Sequence, residues 1–483
     1  MHTTPKTLNT DSWGRLARKR RAARAFDSHA LKNDTGPVLA FGNGRSYGDS
    51  CHCDDGTLLL ANDQHAPIEF DRTTGRLCAG SGVLLKDVLE LTAGTNWFPP
   101  VLPGTKFVTL GGAVANDIHG KNHAHQGTFG RHVLGFELTR SQEGQVWCSP
   151  TENAHLFRAT IGGLGLTGFI GKVELQLLPV PSHQIKTQNR PFKTLGEFFG
   201  SVDEVEAEHE YCVAWIDSLA SGKRFGRGIL ITGKHVETAR QDEAPNNARQ
   251  LSVPFTPPVP LVAGPALRAF NKLYFRTNAA RTEAQVIGAN SFFFPLDAVK
   301  HWNRLYGPKG LYQHQCVLPQ DTAPAAVETM LRAAQNAGQG SFLTVLKKFG
   351  NLTSPGLLSF PAPGFTLTLD FPNRGEATRG LLNRLDDVVR QHGGRINPYK
   401  DARMSAETFQ RGFQNWEELE ELRDPAFLSN FWKRVTKPVK IIAPPLAPLL
   451  EKEPVNHAPQ GRIHTHDVTS SASAKRPKSR EVS

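Results

Sequence analysis

The sequence predicts an α+β protein of two main domains, and three observations carry that prediction. At 483 residues the chain is too long for one small core. Residues 37–181 alternate short apolar runs with glycine turns, in a strand–turn–helix rhythm. From about residue 182 longer alternating strands take over, with helical pieces between them, which reads as an antiparallel sheet with helices on one side.

Taken in order, the N-terminal stretch carries Arg15, Arg18, Lys19, Arg20, Arg21 and Arg24, a run that reads as a solvated helix face. No apolar segment follows it, so it lacks the form of a secretory or twin-arginine signal. No run of 18 apolar residues occurs anywhere, and a cytoplasmic chain without a transmembrane helix is expected. The strand PVLAF leads into the glycine loop GNGRSYGD (42–49), and VLLKDVLELTA (83–93) has the spacing of an amphipathic helix. In PGTKFVTLGG (103–112) a proline–glycine turn leads to a strand and a double glycine. The small residues Ala113 and Ala115 that follow suggest a flat floor with exposed N–H donors. AHLFRATI (154–161) reads as a short helix ending at a glycine, before the loop IGGLGLTG (161–168) and a closing strand, GKVELQLLPV (171–180).

In the second half YCVAWIDSLA, GRGILITGKH, LYQHQCVLP, FLTVLKKFG and FTLTLDFP read as strands. Residues 325–337 and 377–394 read as helices. The proline-rich, apolar stretch 253–275 reads as a loop over a site or a surface that touches lipid. The polar tail ending in AKRPKSREVS is expected to be disordered.

Six cysteines without a CxxC pair suit reduced, structural thiols. The net charge of +11 suits an anionic partner: nucleic acid, a lipid headgroup surface or a phosphorylated substrate. Zinc-finger spacing, an RNP-like motif and an interleaved aromatic stripe are all missing, which disfavours nucleic acid.

Three glycine-rich loops within about 130 residues point to chemistry. Glycines let the backbone approach a ligand closely, and successive N–H groups form an anion-binding nest. GNGRSYGD is neither a P-loop nor a GxGxxG at the head of a long helix. His119, His123 and His125 sit within seven residues, but no cysteine or carboxylate stands at zinc-ligand spacing, so no metal is expected.

GNGRSYGD, then PGT and TLGGAVANDIHGKN, then GGLGLTG, resemble the flavin-binding domain of the vanillyl-alcohol oxidase / p-cresol methylhydroxylase superfamily. NDIHGKNH, YCVAWIDSLA (211–220), YQHQCVLP (312–319), LKKFG (346–350), PGFTLTLDFP (363–372) and GGRINPYKDARMSAETF (393–409) extend the likeness over roughly residues 12–434. Within the superfamily the motifs are most similar to the branch that oxidises polyprenylphosphoryl-ribose.

The resemblance implies a PCMH-type FAD-binding domain of two α+β subdomains over residues 1–181. It implies a substrate domain with a large antiparallel sheet and flanking helices over 182–394. Residues 395–434 would return to the FAD domain, and 435–483 would be a largely disordered extension.

For the cofactor, the resemblance implies contacts from Gly42, Asn43, Gly44, Arg45, Ser46, Tyr47, Gly48 and Asp49, which would cradle the diphosphate. Pro103, Gly104, Thr105, Gly111, Gly112, Ala113, Asn116, Asp117, His119, Gly120 and Asn122 would line the flavin. Gly162, Gly163, Gly165, Thr167 and Gly168 would complete the adenine and ring contacts, with backbone groups near Val173 pairing the adenine. The first loop lacks the histidine, and WFPPVLPG the cysteine, through which relatives attach FAD covalently, so FAD is expected to be non-covalent; His52 is the nearby exception.

Lys400, His119 and Tyr47 match catalytic positions: Lys400 as a cation by the flavin or a base, His119 at the sugar, Tyr47 at the entrance. Lys121, Gln313, Gln315, Lys347 and Thr368 match positions near substrate. Thr368 stands where some relatives carry a cysteine, so no thiol is expected in the reaction.

The implied reaction is oxidation of the ribose 2′-hydroxyl of a polyprenylphosphoryl sugar to the 2′-ketone. A short-chain dehydrogenase/reductase partner would complete an epimerisation for cell-envelope arabinan, with peripheral contact at the inner membrane and no nucleic-acid partner. The alternatives are a soluble sugar, alditol or aldonolactone oxidase on the same fold, and a non-enzymatic basic binding protein.

Overall fold

The computed structural model of the chain describes residues 5–61, 67–237 and 251–437. A four-stranded sheet comes first, in the order Lys6–Asn9, Arg20–Ala25, Thr57–Leu60, Val38–Phe41, with one antiparallel and two parallel pairings. The basic run expected to be a solvated helix face is therefore partly a strand. Its arginines Arg21 and Arg24 are buried and paired, with Asp54 at 2.7 Å and Asp34 at 2.6 Å. A buried guanidinium persists only with such a partner, and neither acid is adjacent to the run in sequence.

A five-stranded antiparallel sheet follows, ordered Glu69–Phe70, Arg76–Gly80, Phe169–Gln176, Val133–Arg140, Gly144–Cys148. The helix expected over 83–93 spans Leu85–Thr92 and buries Leu85, Val88 and Leu89 in one core with Phe136 and Val173. The helix expected over 154–161 spans Ala154–Thr160. The strand expected before the double glycine does not form. Thr109 makes a single bridge to Leu84, and Leu110–Ala115 is a helix. The Thr109 Oγ1 accepts from the Gly112 N–H at 3.1 Å, a cap that starts the helix before the glycines can extend. The small residues are a tight helical turn, not a flat floor.

An eight-stranded antiparallel sheet takes its strands from Gln184 to Ile396. The order is Gln285–Gly288, Gln184–Phe192, Gly228–His235, Tyr211–Ile216, Val345–Phe349, Gly364–Pro372, Leu311–Leu318, Arg395–Ile396. The helices Leu195–Glu208, Ala323–Asn336 and Glu376–Gln391 bury Phe198, Leu331, Leu381 and Leu385 in one cluster with Leu346, Leu367 and Leu369. Period-2 alternation then turns Thr366, Thr368 and Asp370 to the opposite face.

Residues 264–275 are not a loop: Gly264–Ala279 is a helix with proline in its first turn, burying Leu267 and Asn271. The Asn271 Nδ2 donates to Asp217 Oδ1 at 3.1 Å. Near the C-terminus the chain returns to the first sheet. The Val38 N–H donates to the Ala426 carbonyl at 2.7 Å, and Arg434 pairs with Asp49 at 2.7 Å. Residues 438–483, and with them nearly all of the expected extension, lie outside the described residues. All six cysteines are unpaired. Among the described residues no helix is long and apolar enough to cross a membrane.

Candidate active site

One cavity of about 700 Å³ lies between the glycine loops and the polar face of the eight-stranded sheet. That volume suits a large organic cofactor or ligand. The loop 42–47 forms one end. Gly44 has φ +58°, and a Cβ on Gly42 would stand 2.6 Å from Thr109 Oγ1, so both positions need glycine. The Arg45 guanidinium lies 4.4 Å from the Trp13 ring centroid and 5.1 Å from that of Phe107, and its buried Nε has no hydrogen-bond partner.

Gly104 and Gly165 also line the cavity, with nothing within 4 Å of where a Cβ would project. Bare backbone and a half-buried guanidinium whose Nε is unbonded fit the expected diphosphate-bearing cofactor. The third glycine loop is held in place by the helix Leu110–Ala115: the N–H groups of Gly162 and Leu164 donate to the Val114 and Ala115 carbonyls at 3.0 and 2.8 Å.

Of the expected cofactor contacts, Gly42–Tyr47, Pro103–Thr105, Gly111, Gly112, Asn116, His119, Gly120, Gly165, Gly168 and Lys400 line the cavity. Eight others do not reach its wall and serve the scaffold. Gly48 packs flat against the Asp401 carbonyl. Asp49 pairs with Arg434, and Ala113 is fully buried inside its helix. Asp117 is fully buried and accepts from the Gly130 N–H at 2.7 Å and from the hydroxyls of Ser354 and Ser359. Asn122 donates to the Pro100 carbonyl at 2.9 Å. Gly162 and Gly163 turn the loop, and Thr167 bonds Thr160 at 2.8 Å. Val173 sits mid-sheet opposite Ala79, and the strand meets the cavity through Phe169 and Ile170 instead.

The three histidines go separate ways. His119 enters the cavity. His123 lies 4.3 Å from the Phe349 ring, and burial pushes its pKa down to about 3. The His125 Nε2 meets the Glu206 carbonyl at 2.9 Å. His52 does not line the cavity, and burial lowers its pKa to about 4.

The sheet supplies the other wall. Gln313 faces Asp370 in register, Gln315 faces Thr368, and Lys347 faces Thr366. These residues form a polar stripe across three strands. The Gln315 Nε2 lies 3.0 Å from the His119 Nε2, and the Lys347 Nζ lies 3.2 Å from the His119 Nδ1. Burial drives the His119 pKa well below its usual range, helped by Lys347, so the ring is neutral. Burial likewise lowers Lys121 to about 8; its ammonium donates to the Phe293 carbonyl at 3.0 Å.

Lys400 lies 4.3 Å from the Tyr47 ring centroid. Burial lowers the Lys400 pKa to about 8 against the attraction of Asp370. Burial raises Asp370 to about 7, and Gln313 Nε2 donates to its Oδ1 at 2.6 Å. Burial pushes the Tyr47 phenol up, so it stays protonated.

Asp370 and Thr366 were not anticipated as site residues. The signal was the alternation T-L-T-L-D, polar residues at every second position of an otherwise apolar strand. The aromatic wall of Trp13, Trp215, Phe270, Tyr274 and Phe342 had no such signal, because its members come from four separate segments.

An FAD binding domain family model matches residues 28–149. Decaprenylphosphoryl-β-D-ribose oxidase of Mycolicibacterium smegmatis is 32% identical over 425 residues, 82% of this chain and 89% of that protein. An uncharacterised protein in the mprA 5′ region of Streptomyces coelicolor is 31% identical over 370 residues, 73% of this chain and all of that one. L-gulonolactone oxidase of Scyliorhinus torazame is 28% identical over 174 residues, 36% of this chain and 38% of that one. The chain belongs to the decaprenylphosphoryl-β-D-ribose oxidase family within the PCMH-type FAD-binding oxidoreductases, and it is an FAD-dependent oxidoreductase.

Proposed function

From that membership, we propose that the chain oxidises the 2′-hydroxyl of a polyprenylphosphoryl-ribose to the 2′-ketone. A short-chain reductase would then complete the epimerisation to the arabinose form. The observation that carries this reading is the pairing of a polar stripe, able to hold a sugar, with an aromatic wall in the same cavity, able to hold a prenyl chain.

The oxidation removes a hydride from carbon and a proton from oxygen. FAD, when bound, supplies the two-electron acceptor. We assign its cradle to the cavity-lining backbone of residues 42–47, 104, 111–112 and 165, and its binding is non-covalent. Two observations support this. His119, the histidine on the cavity wall, is already engaged on both ring nitrogens, and burial pushes the Cys51 thiol there to about 12. Lys400 is the cation that stabilises negative charge gained in the reaction. Gln313 and Gln315 orient the sugar, and the protonated Tyr47 closes the entrance as a hydrogen-bond donor.

We further propose peripheral contact with an anionic membrane. Leu251, Phe255, Val259, Leu261 and Leu273 are all at least half exposed. They flank cationic Arg268, Lys272 and Arg276 on the helix whose Phe270 and Tyr274 reach the cavity. We also propose two domains divided at about residue 181, a reading supported by the change from the first two sheets to the eight-stranded one.

The test is product identity. Prenylphosphoryl-ribose turned over by the enzyme and then reduced with borodeuteride is expected to give ribose and arabinose epimers deuterated at C2. Recovery of unlabelled ribose, together with turnover of a soluble alditol, would move the reading to a soluble sugar oxidase. Pelleting with anionic vesicles that fades at high salt is expected; no pelleting at low salt removes the membrane contact.

A further inference from the structure

The polar stripe contains a hydrogen-bond chain whose direction is set at one end by the backbone. The Tyr399 N–H donates to the Asn397 Oδ1 at 3.2 Å. A backbone N–H can only donate, so the Asn397 amide is oriented. Its Nδ2 then donates to the Gln315 Oε1 at 2.9 Å. The Gln315 Nε2 spends its two hydrogens on the Thr366 Oγ1 at 3.1 Å and the His119 Nε2 at 3.0 Å. The His119 Nε2 is therefore a lone pair, and the neutral ring carries its proton on Nδ1. That N–H faces the Lys347 Nζ at 3.2 Å. An ammonium has no lone pair to accept it; an amine does.

We propose that Lys347 meets the substrate as an uncharged amine that donates to a sugar hydroxyl, and that His119 is the positioning residue that keeps it uncharged. The amine has three directions to fill. Its lone pair takes the His119 N–H, one hydrogen goes to the Gly120 carbonyl at 3.3 Å, and the third is left for a ligand in the cavity that Lys347 lines. The surroundings agree. The groups that bear on Lys347 are His119, His123, Lys121 and Lys400, all of them basic, and burial together with those two lysines lowers its pKa to about 7. The consequence is selectivity. An uncharged donor bonds a neutral hydroxyl well. An anion at the same point would draw a proton onto Lys347 and break its bond to His119. The stripe therefore takes the polyol face of the sugar, and the phosphate lies elsewhere in the cavity. Only the naming of the sugar hydroxyl rests on the proposed substrate.

Two measurements on the holoenzyme test this without turnover. The first is competitive acetylation of Lys347 against pH, read by mass spectrometry. A midpoint near 7 is expected, well below that of a lysine of ordinary pKa. The second is ¹⁵N NMR of histidine-labelled protein, with His119 assigned by its loss in His119→Gln; protonation at Nδ1 is expected. A midpoint near that of an ordinary lysine, or His119 protonated at Nε2, overturns the proposal. In turnover assays KM is expected to rise as pH falls through 7 while kcat changes less; a kcat loss at constant KM would contradict the positioning role. Failure of prenylphosphoryl-ribose to react would leave the acetylation midpoint and the tautomer untouched, so the two readings fail separately.

Discussion

The two walls of the cavity are built in opposite ways. The glycine loops of residues 42–47, 103–112 and 161–168 face the cavity with backbone at Gly42, Gly44, Gly104, Gly111, Gly112 and Gly165. The eight-stranded sheet faces it with side chains that stand off one face: Gln313, Gln315, Lys347 and Thr368. The first wall has no room for a Cβ at Gly42, and at Gly104 and Gly165 the room is the cavity itself; the second depends on the polar atoms its side chains carry. A backbone wall fixes a cofactor common to many chemistries, whereas a side-chain wall sets charge and hydrogen bonding for one substrate.

The comparison breaks first at Lys400. Lys400→Met is expected to leave the protein yellow but to lower kcat by about 10²–10³-fold, the usual loss of a group that stabilises reaction charge. Stopped-flow reduction by substrate checks it; loss of colour instead would place Lys400 in cofactor binding. The pH profile has the matching sign. Lys400 is charged below about 8, so turnover is expected to fall as pH rises through that value. Asp370→Asn removes an attraction that favours the ammonium and should move the fall to lower pH.

On the backbone side, Gly48→Ala would press a Cβ into the Asp401 carbonyl, where the chain carrying Lys400 meets the first loop. A destabilisation of about 1–3 kcal/mol is expected from urea unfolding, the usual cost of overpacking. A neutral result would mean that the two segments separate easily.

Lys347 gives a smaller effect. Its folded pKa of about 7 lies below the ordinary 10.5, so between those values the unfolded chain binds more protons and stability rises with pH. The slope is at most ~1 kcal/mol per pH unit, because the cavity leaves the amine partly solvated. Lys347→Met is expected to lose this gain between pH 7 and 9, read by denaturant titration. Smallest of all, Thr368→Cys should change turnover less than about twofold, since a volume-conserving swap on this strand removes one hydroxyl. It should also make the holoenzyme sensitive to a thiol reagent that leaves the wild type active.

The two walls also differed in how far the sequence disclosed them. A backbone wall writes itself as glycine, and GNGRSYGD and GGLGLTG stood out for that reason. Even so, glycine spacing did not separate contact from scaffold. Gly163 reads like Gly165, yet it lies against the Ala159 carbonyl while Gly165 opens on the cavity, and Gly48 lies against the Asp401 carbonyl. PGTKFVTLGG looked like a strand and a floor because the capping of Gly112 by Thr109 is a local geometric event. The side-chain wall left only the weaker sign of polar residues at period 2. Asp370 passed unnoticed because its meaning depends on Lys400 and Gln313, which reach it only through the fold. Arg21 and Arg24 misled for the same reason, their acids lying elsewhere in the chain.

The most direct test of the whole is the visible spectrum of the purified protein, taken before and after acid precipitation and during anaerobic addition of a prenylphosphoryl-ribose. A backbone cradle beside a sugar-reading sheet predicts a yellow protein that releases its FAD into the acid supernatant and bleaches with that substrate. Colour retained in the pellet would contradict the non-covalent cradle, and a yellow protein that the substrate does not bleach would contradict the substrate wall.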